Sequence, residues 1–442
     1  MMRSMFSGVS GLRAHQTRMD VIGNNVANVN TVGFKSGRVT FQEIFAQTLQ
    51  GAGAPDAATG RGGTNPMQVG LGLGVGSIDT LMTRGSLQRT DNPTDLSIEG
   101  DGFFIVRGGS GDTFNFTRAG NFGLDKLGNL VAGGGMNVYG WQAYSRGTDG
   151  SYIFDTELPI EPINLYADDH NLNKRMIAAK ATQNIVLSGN LDAAYTAYPA
   201  DPKAKSFTVP MTVYDSLGND YKINIIFQKT GETIGTPSSS TWTWSIPGNT
   251  TTPPTYTIGM PTSPTITFDD KGKITSTTVT TQTISMTPGV AAEPMSIKLD
   301  FSQITMYSAD SSVKPTNIDG YPTGNLVTFN VDANGILTGI YSNGQQQPLG
   351  MIALAYFTNP AGLQKIGDNL YIPTTNSGDF NKALKAGSEG VGTLNPGTLE
   401  MSNVDLSKEF TDMIITQRGF QANSRIITTS DEMLQELVNL KR

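Results

Sequence analysis

Residues 2–29, MRSMFSGVSGLRAHQTRMDVIGNNVANV, set Met2, Met5, Val9, Leu12, Met19, Ile22, Val26 and Val29 three and four positions apart, with Gln16 the one polar member. That spacing is one face of an α-helix. At about 1.5 Å per residue it runs about 40 Å. Its other faces are poor helix formers: Gly8, Gly11 and Gly23 each cost about 1 kcal/mol relative to Ala, and Asn24, Asn25, Asn28 and Asn30 add more. Alone, such a helix is marginal. The opposite end repeats the pattern, with Leu406, Phe410, Met413, Phe420, Ile427, Leu434 and Val438 on a heptad-like stripe interrupted by Gln417, Ser424 and Asp431. Ser402 with Asp405 supplies a start signal, and Thr429 with Glu432 a second cap at which the helix could break near Ser430. Either stripe alone reads as an ordinary core-facing helix. Two matched stripes at the ends of a β-rich chain each need an apolar partner, so the pattern predicts that they pack on each other.

Between the ends the signals are β. Of 442 residues, 51 are Gly and 22 Pro, about one in six, while charged residues reach only 16 %; that composition suits a turn-rich β protein of roughly three domains. Phe103 to Val106 reads as a short apolar strand, and Phe114 to Val131 as a hairpin around Asp125-Lys-Leu-Gly-Asn129. Similar turns recur at Asp215 to Asn219, Asp269 to Gly272, Asp332 to Gly335 and Ser342 to Gly344. Beyond Thr230 the chain becomes Thr/Ser/Pro-rich, yet Trp242, Trp244, Tyr256, Ile266 and Phe268 still alternate with polar residues, which predicts a loose, exposed β domain. Gln50 to Val75, rich in Gly and poor in large side chains, reads as an extended linker.

Several chemistries lack their parts. There is no Cys, which excludes thiol nucleophiles, disulfides, iron-sulfur clusters and Cys-based zinc sites. The two histidines, His15 and His170, lie in segments of opposite character, and His15, off the apolar stripe beside Arg13 and Arg18, reads as a solvated or interface residue. Gly70-x-Gly72-x-Gly74-x-Gly76 lacks the spacing and the following Lys-Ser/Thr of a phosphate loop, Asp332-x-Asn334 lacks the rest of a calcium loop, and Asp269 with Asp270 lacks a cleft. The expectation is no enzyme, no cofactor and no metal. A net charge of −7 argues against nucleic acid. The first twenty residues hold no apolar block of a cleaved signal, and Met351 to Phe357, the longest apolar run, is far short of the roughly 20 residues that cross a bilayer, so no membrane insertion is expected.

The segment Asn24-Asn-Val-Ala-Asn-Val-Asn-Thr-Val-Gly-Phe-Lys35 resembles the signature of bacterial flagellar rod and hook proteins, with Asn24, Asn25, Ala27, Asn28, Thr31, Gly33, Phe34 and Lys35 as its matching residues. Glu400-Met-Ser-Asn-Val-Asp-Leu406, Phe410 to Ile414, Gln417-Arg-Gly-Phe-Gln-Ala-Asn423 and Thr429 to Leu434 are similar to that family's C-terminal element. Thr117-Arg-Ala-Gly120 leading to Gly140-Trp141, Val213 to Asn219, and Asn359-Pro-Ala-Gly-Leu363 resemble hook proteins in particular, and rod proteins are much shorter. Hook proteins of spirochaetes carry a Cys that joins subunits through a Lys, a crosslink this Cys-free chain lacks.

The resemblance implies a multidomain α+β fold, with coiled-coil-like paired terminal helices and inserted all-β domains. Residues 1–29 and 404–442 would form a helical polymerisation domain, with Met5, Val9, Leu12, Met19, Ile22, Val26, Leu406, Phe410, Met413, Phe420, Ile427, Leu434 and Val438 carrying the contacts. Residues 30–75 and 393–403 would be extended linkers, 76–148 and 313–392 an inner β domain, and 149–312 an outer one. It further implies an extracellular homopolymer, a hook that joins rod to filament as a universal joint. Its partners would be rod, hook-cap and hook-filament junction proteins and the flagellar type III export apparatus. The near alternative is a distal rod or other axial protein; the distant one is a secreted β-rich adhesin or carbohydrate-active enzyme.

Overall fold

The computed structural model describes residues 2–55, 60, 62–108, 113–147, 152–168, 172–196, 205–233, 238–248, 256–275, 280–289 and 292–440. His170 lies outside them. The protein is mostly β, with two long helices at its ends, a multidomain α+β chain that divides into two compact units. Residues 173–328 and 339–347 form one unit, inserted into a second made of 1–172, 329–338 and 348–442.

Two sheets of the inserted unit build its core among the described residues. One orders the strands Tyr256–Gly259, Thr281–Pro288, Met295–Tyr307, Asn184–Asp192 and Lys314–Ile318; the other orders Ser206–Tyr214, Asp220–Thr233, Ser239–Ser245 and Thr265–Phe268. Alternate residues of both point into one shared core, in which Trp242, Trp244, Phe227, Phe268 and Phe301 are fully buried. This corrects the loose, exposed domain expected from the Thr/Ser/Pro-rich composition. The period-two pattern, not the composition, decides burial. Trp244 satisfies its indole by donating from Nε1 to Gln282 Oε1 at 3.0 Å.

In the other unit one sheet contains, in order, Gln346–Ala355, Met136–Trp141, Phe103–Arg107, Asn115–Thr117, Leu370–Ile372 and Gln364–Gly367. Phe103, Ile105, Phe116, Trp141, Met351 and Tyr371 fill its core. The hairpin read over Phe114 to Val131 is shorter than expected. Only Gly123–Leu124 and Leu130–Ala132 pair across the Asp125 turn, while Phe116 sits between Ile105 and Tyr371, because its ring belongs to the larger core.

The recurrent Asp-containing turns share one device. Asp125 Oδ1 accepts the amides of Leu127 and Asn129, Asp215 Oδ1 those of Leu217 and Asn219, Asp269 Oδ1 those of Lys271 and Lys273, and Asp332 Oδ1 those of Asn334 and Ile336. A glycine in the left-handed region closes each, with φ of 91° at Gly128, 90° at Gly218, 71° at Gly272 and 80° at Gly335.

Gly37–Glu43 pairs antiparallel with Leu73–Thr80, and Ala46–Gln50 with Met67–Gly70. The stretch Gln50 to Val75, read as an extended linker, thus contains strand: Met67–Gly70 and the start of Leu73–Thr80 lie within it and pair back as a two-stranded ribbon. Such a ribbon is marginal by itself. It leans on the N-terminal helix through an edge-on contact of Phe41 with His15, ring centroids 5.5 Å apart, and through the Arg18 guanidinium 5.7 Å from the Phe41 ring centre.

Candidate functional site

The N-terminal helix, α1, is Met2–Ala27, and the C-terminal helix, α2, is Leu406–Asn439. Asp405 caps α2 by accepting the amides of Ser407 and Lys408. The possible break near Ser430 does not occur. Thr429 turns its hydroxyl back to the Arg425 carbonyl at 2.8 Å instead of capping a new helix, and Ser430 is buried.

The helices run antiparallel along a seam of small and polar residues. Ser4 meets Ser430 at 3.4 Å, Gly8 faces Asn423 and Ile427, Gly11 faces Asn423, His15 faces Gly419, Arg18 binds Asp412 at 2.9 Å, and Asn25 donates to Glu409 at 3.1 Å. Positions 4, 8, 11, 15, 18 and 25 of α1 thus fall at heptad spacing. A Cβ on Gly11 would lie 2.7 Å from the Asn423 amide, and one on Gly419 would lie 2.7 Å from the His15 ring. Glycine therefore sets how closely the helices approach.

Burial pushes the pKa of Glu409 up, with Asp412 adding to it against the Asn25 hydrogen bond. His15 is lowered by burial and then by Arg18, and its buried Nδ1 has no hydrogen-bond partner among the described residues.

Large apolar side chains lie mostly off this seam. Of the stripe on α1, Ile22 is buried, Met5, Leu12, Met19 and Val26 are half-buried, and Val9 is exposed. On α2, Met413, Ile427 and Leu434 are half-buried, while Leu406, Phe410, Phe420 and Val438 are exposed, Phe410 to 49 %. Phe6, Ile414, Ile415, Ile426, Met433, Leu437 and Leu440 are also exposed. Burying a side chain of this size stabilises by about 1.5–3 kcal/mol. Together they form a large unused apolar surface.

Below the helices, the signature residues make a buried ionic latch. Lys35 Nζ lies 2.5 Å from Glu400 Oε1 and 2.8 Å from the Thr83 carbonyl, and Arg118 Nη1 lies 3.3 Å from Glu400 Oε2 and 3.0 Å from the Gly100 carbonyl. Gly85 N–H also donates to Glu400 Oε1 at 3.1 Å. Burial alone would push the Glu400 carboxyl up; the Lys35 ammonium and Arg118 guanidinium outweigh it and hold the carboxyl below its usual range.

Gly33 sits at φ 69° with its N–H on the Glu400 carbonyl at 2.8 Å, and a Cβ there would lie 2.7 Å from Ala119 N. Lys365 covers the Phe34 ring at 4.9 Å, and Asn369 donates to the Val32 carbonyl at 2.9 Å. Asn25 exchanges two hydrogen bonds with the Gly37 backbone, at 2.8 and 2.9 Å. Asn28 binds back to the Asn24 carbonyl at 2.9 Å and accepts from the Thr31 hydroxyl at 3.1 Å, and Ala27 ends α1. The signature thus locks the exit of α1 to the return of the chain into α2. Glu400 and Asn403 fall in the C-terminal motif quoted from the sequence, which gave no sign that they meet the N-terminal signature; Asn403 accepts from Ser36 N at 2.8 Å and donates to the Leu81 carbonyl at 2.8 Å.

Among the described residues no group of three His, Cys, Asp or Glu could hold a metal ion, and no helix is long and apolar enough to cross a membrane.

Four family models match the chain: flagella basal body rod protein over 5–35, flagellar hook protein FlgE/F/G D1 domain over 97–174, flagellar basal body protein FlaE D2 domain over 172–321, and flagellar basal body rod FlgEFG protein C-terminal over 395–440. The helix pair is built from the two terminal matches, and the latch joins Lys35 and Glu400 of those matches to Arg118 of the D1 match. Joined terminal helices around inserted β domains, with these matches, define a flagellar axial protein of the class that forms rod and hook. The chain is 41 % identical to the flagellar hook protein FlgE of Borreliella burgdorferi and 40 % identical to that of Treponema pallidum, in both cases over 100 % of each chain. It is 32 % identical to the flagellar basal-body rod protein FlgG of Bacillus subtilis, again over 100 % of both. The chain belongs to the flagellar hook protein family, a structural family.

Proposed function

We propose that copies of this chain polymerise into the hook as a curved, hollow helical tube, a universal joint carrying torque from rod to filament. The observation that carries this reading is the mismatch between seam and surface. The helices close on each other through Gly8, Gly11 and Gly419, which leaves Phe410, Ile414, Phe420 and Leu437 uncovered in a single copy. A head-to-tail contact between identical subunits that does not close buries such surface in a tube. The paired helices, wound as a coiled coil, would form its inner layer, with the ribbon around residues 37–80 next and the β domains 76–148 with 313–392 and 149–312 as outer shells.

Rigid β units joined by sliding contacts suit a joint that bends. Marginal terminal helices suit a chain exported unfolded through the flagellar type III apparatus to an extracellular site, where rod, hook-cap and hook-filament junction proteins would be its neighbours. The full-length identity to a rod protein favours a second reading, a distal rod subunit. Negative-stain microscopy of the purified full chain separates them: curved tubes support the hook, straight ones the rod, and discrete single particles neither.

A further inference from the structure

The two helices are unequal at one end. α1 begins two residues before Ser4, whereas α2 continues nine residues past Ser430, its seam partner. Among the described residues, none of α1 therefore lies opposite the last turns of α2. They are amphipathic: Met433, Leu437 and Leu440, spaced by four and three, are exposed, Leu440 to 81 %, and the exposed carboxylates of Glu432 and Glu436 flank them.

Elsewhere in the same unit, α1 and the ribbon enclose an open groove of about 490 Å³, whose apolar lining includes Phe6, Val9, Ile44, Leu73 and Val75. Phe6, Val9 and Ile44 are exposed. Arg13 lines the groove, and Arg3 stands on the same face of α1. The groove is thus apolar with Arg13 on its rim, and the overhang is apolar with Glu432 and Glu436 beside it, ahead of the basic pair Lys441-Arg442 that follows in sequence. One chain cannot join them. Gly8, beside Val9, faces Ile427, and Leu437 lies ten residues further along α2, about 15 Å away.

We propose that the overhanging C-terminal turns of one copy, Met433 to Leu440, seat in the groove between α1 and the ribbon of a neighbouring copy, with Glu432 and Glu436 against Arg3 and Arg13. This rests on the polymer reading and assigns its direction of contact: one subunit's tail enters the next subunit's flank, a heterologous joint that propagates without closing. Charge complementarity fixes its register.

The absence of Cys makes the test direct. Full-length Val9→Cys copies are mixed with full-length Leu437→Cys copies, assembled, and oxidised. The joint predicts disulfide-linked heterodimers from the mixture, and multimer ladders from the Val9→Cys/Leu437→Cys double variant, whose two sites are too far apart within one copy to bridge. Charge reversal gives a second readout: Arg13→Glu lowers tube yield at least tenfold, and adding Glu436→Arg restores it. Tubes of normal yield that give no crosslinked species would overturn the joint while leaving the polymer reading intact. Failure of the wild-type chain to form any polymer would remove the reading itself.

Discussion

Lys35 and Glu400 are separated by 365 positions in the chain, yet their charged groups lie 2.5 Å apart and each side chain is only 1 % exposed. Arg118 completes the group from a third segment, so one carboxylate holds the exit of α1, the inner β sheet and the approach to α2 together. Breaking a buried pair is far more damaging than never having made it, because the surviving charge stays buried without a partner.

Glu400→Gln should therefore destabilise the unit by about 3–5 kcal/mol, seen as a lowered denaturant midpoint at unchanged slope. Lys35→Met together with Glu400→Leu should recover part of that loss. Equal stability of Glu400→Gln and wild type would mean that the latch contributes nothing.

The same carboxyl sets an acid limit. Its folded pKa lies below its unfolded value, so its contribution is complete above the usual glutamate range of about 4.3 and is lost as pH falls through the lower folded value. Denaturant melts from pH 7 down to pH 2 should show this acid-side loss in wild type and a flatter profile in Glu400→Gln.

Glu409 works with the opposite sign. Its folded pKa is raised, so the stability linked to its protonated form is present at acid pH and disappears as pH rises through that value. Glu409→Gln keeps an oxygen for the Asn25 amide and removes the charge beside Asp412. Circular dichroism at pH 7 should show a firmer helix pair in the variant, and the two proteins should converge below pH 4.

Glycines of α1 separate helix propensity from packing. Gly23 has open space around its Cβ position, whereas Gly11 would meet Asn423 at 2.7 Å. Gly23→Ala should stabilise α1 by about 1 kcal/mol without disturbing assembly. Gly11→Leu should force the helices apart and abolish polymerisation while the β units melt as before. Normal tubes from Gly11→Leu would refute the close seam.

The helix ends and the four Asp turns were legible because each is a local signal carried by a few adjacent residues, while the Ser402-Asp405 start signal marked the right region but Asp405, not Ser402, is the cap. The two apolar stripes also marked helices, but they did not mark the face on which the helices meet. Ser4, Gly8, Gly11 and His15 on one helix and Gly419, Asn423 and Ser430 on the other carry no hydrophobic signal, and only their regular spacing on both ends could have revealed the seam. Likewise Glu400 reads as an ordinary acid until Lys35 and Arg118 are brought to it by tertiary structure. Thr429 with Glu432 reads as a second cap, yet the helix runs through it and the next residue, Ser430, is a buried seam residue, since its contact with Ser4 is a long-range fact.

The claim on which the account rests is that the outward apolar faces of α1 and α2 are covered only by sister copies. Phe410→Asp tests it most directly, because Phe410 is half-exposed in a single copy and lies away from the latch. Sedimentation and electron microscopy should find the variant monomeric, with an unfolding free energy within about 0.5 kcal/mol of wild type, as for an ordinary surface change. Tubes of wild-type yield and curvature from Phe410→Asp would contradict the account.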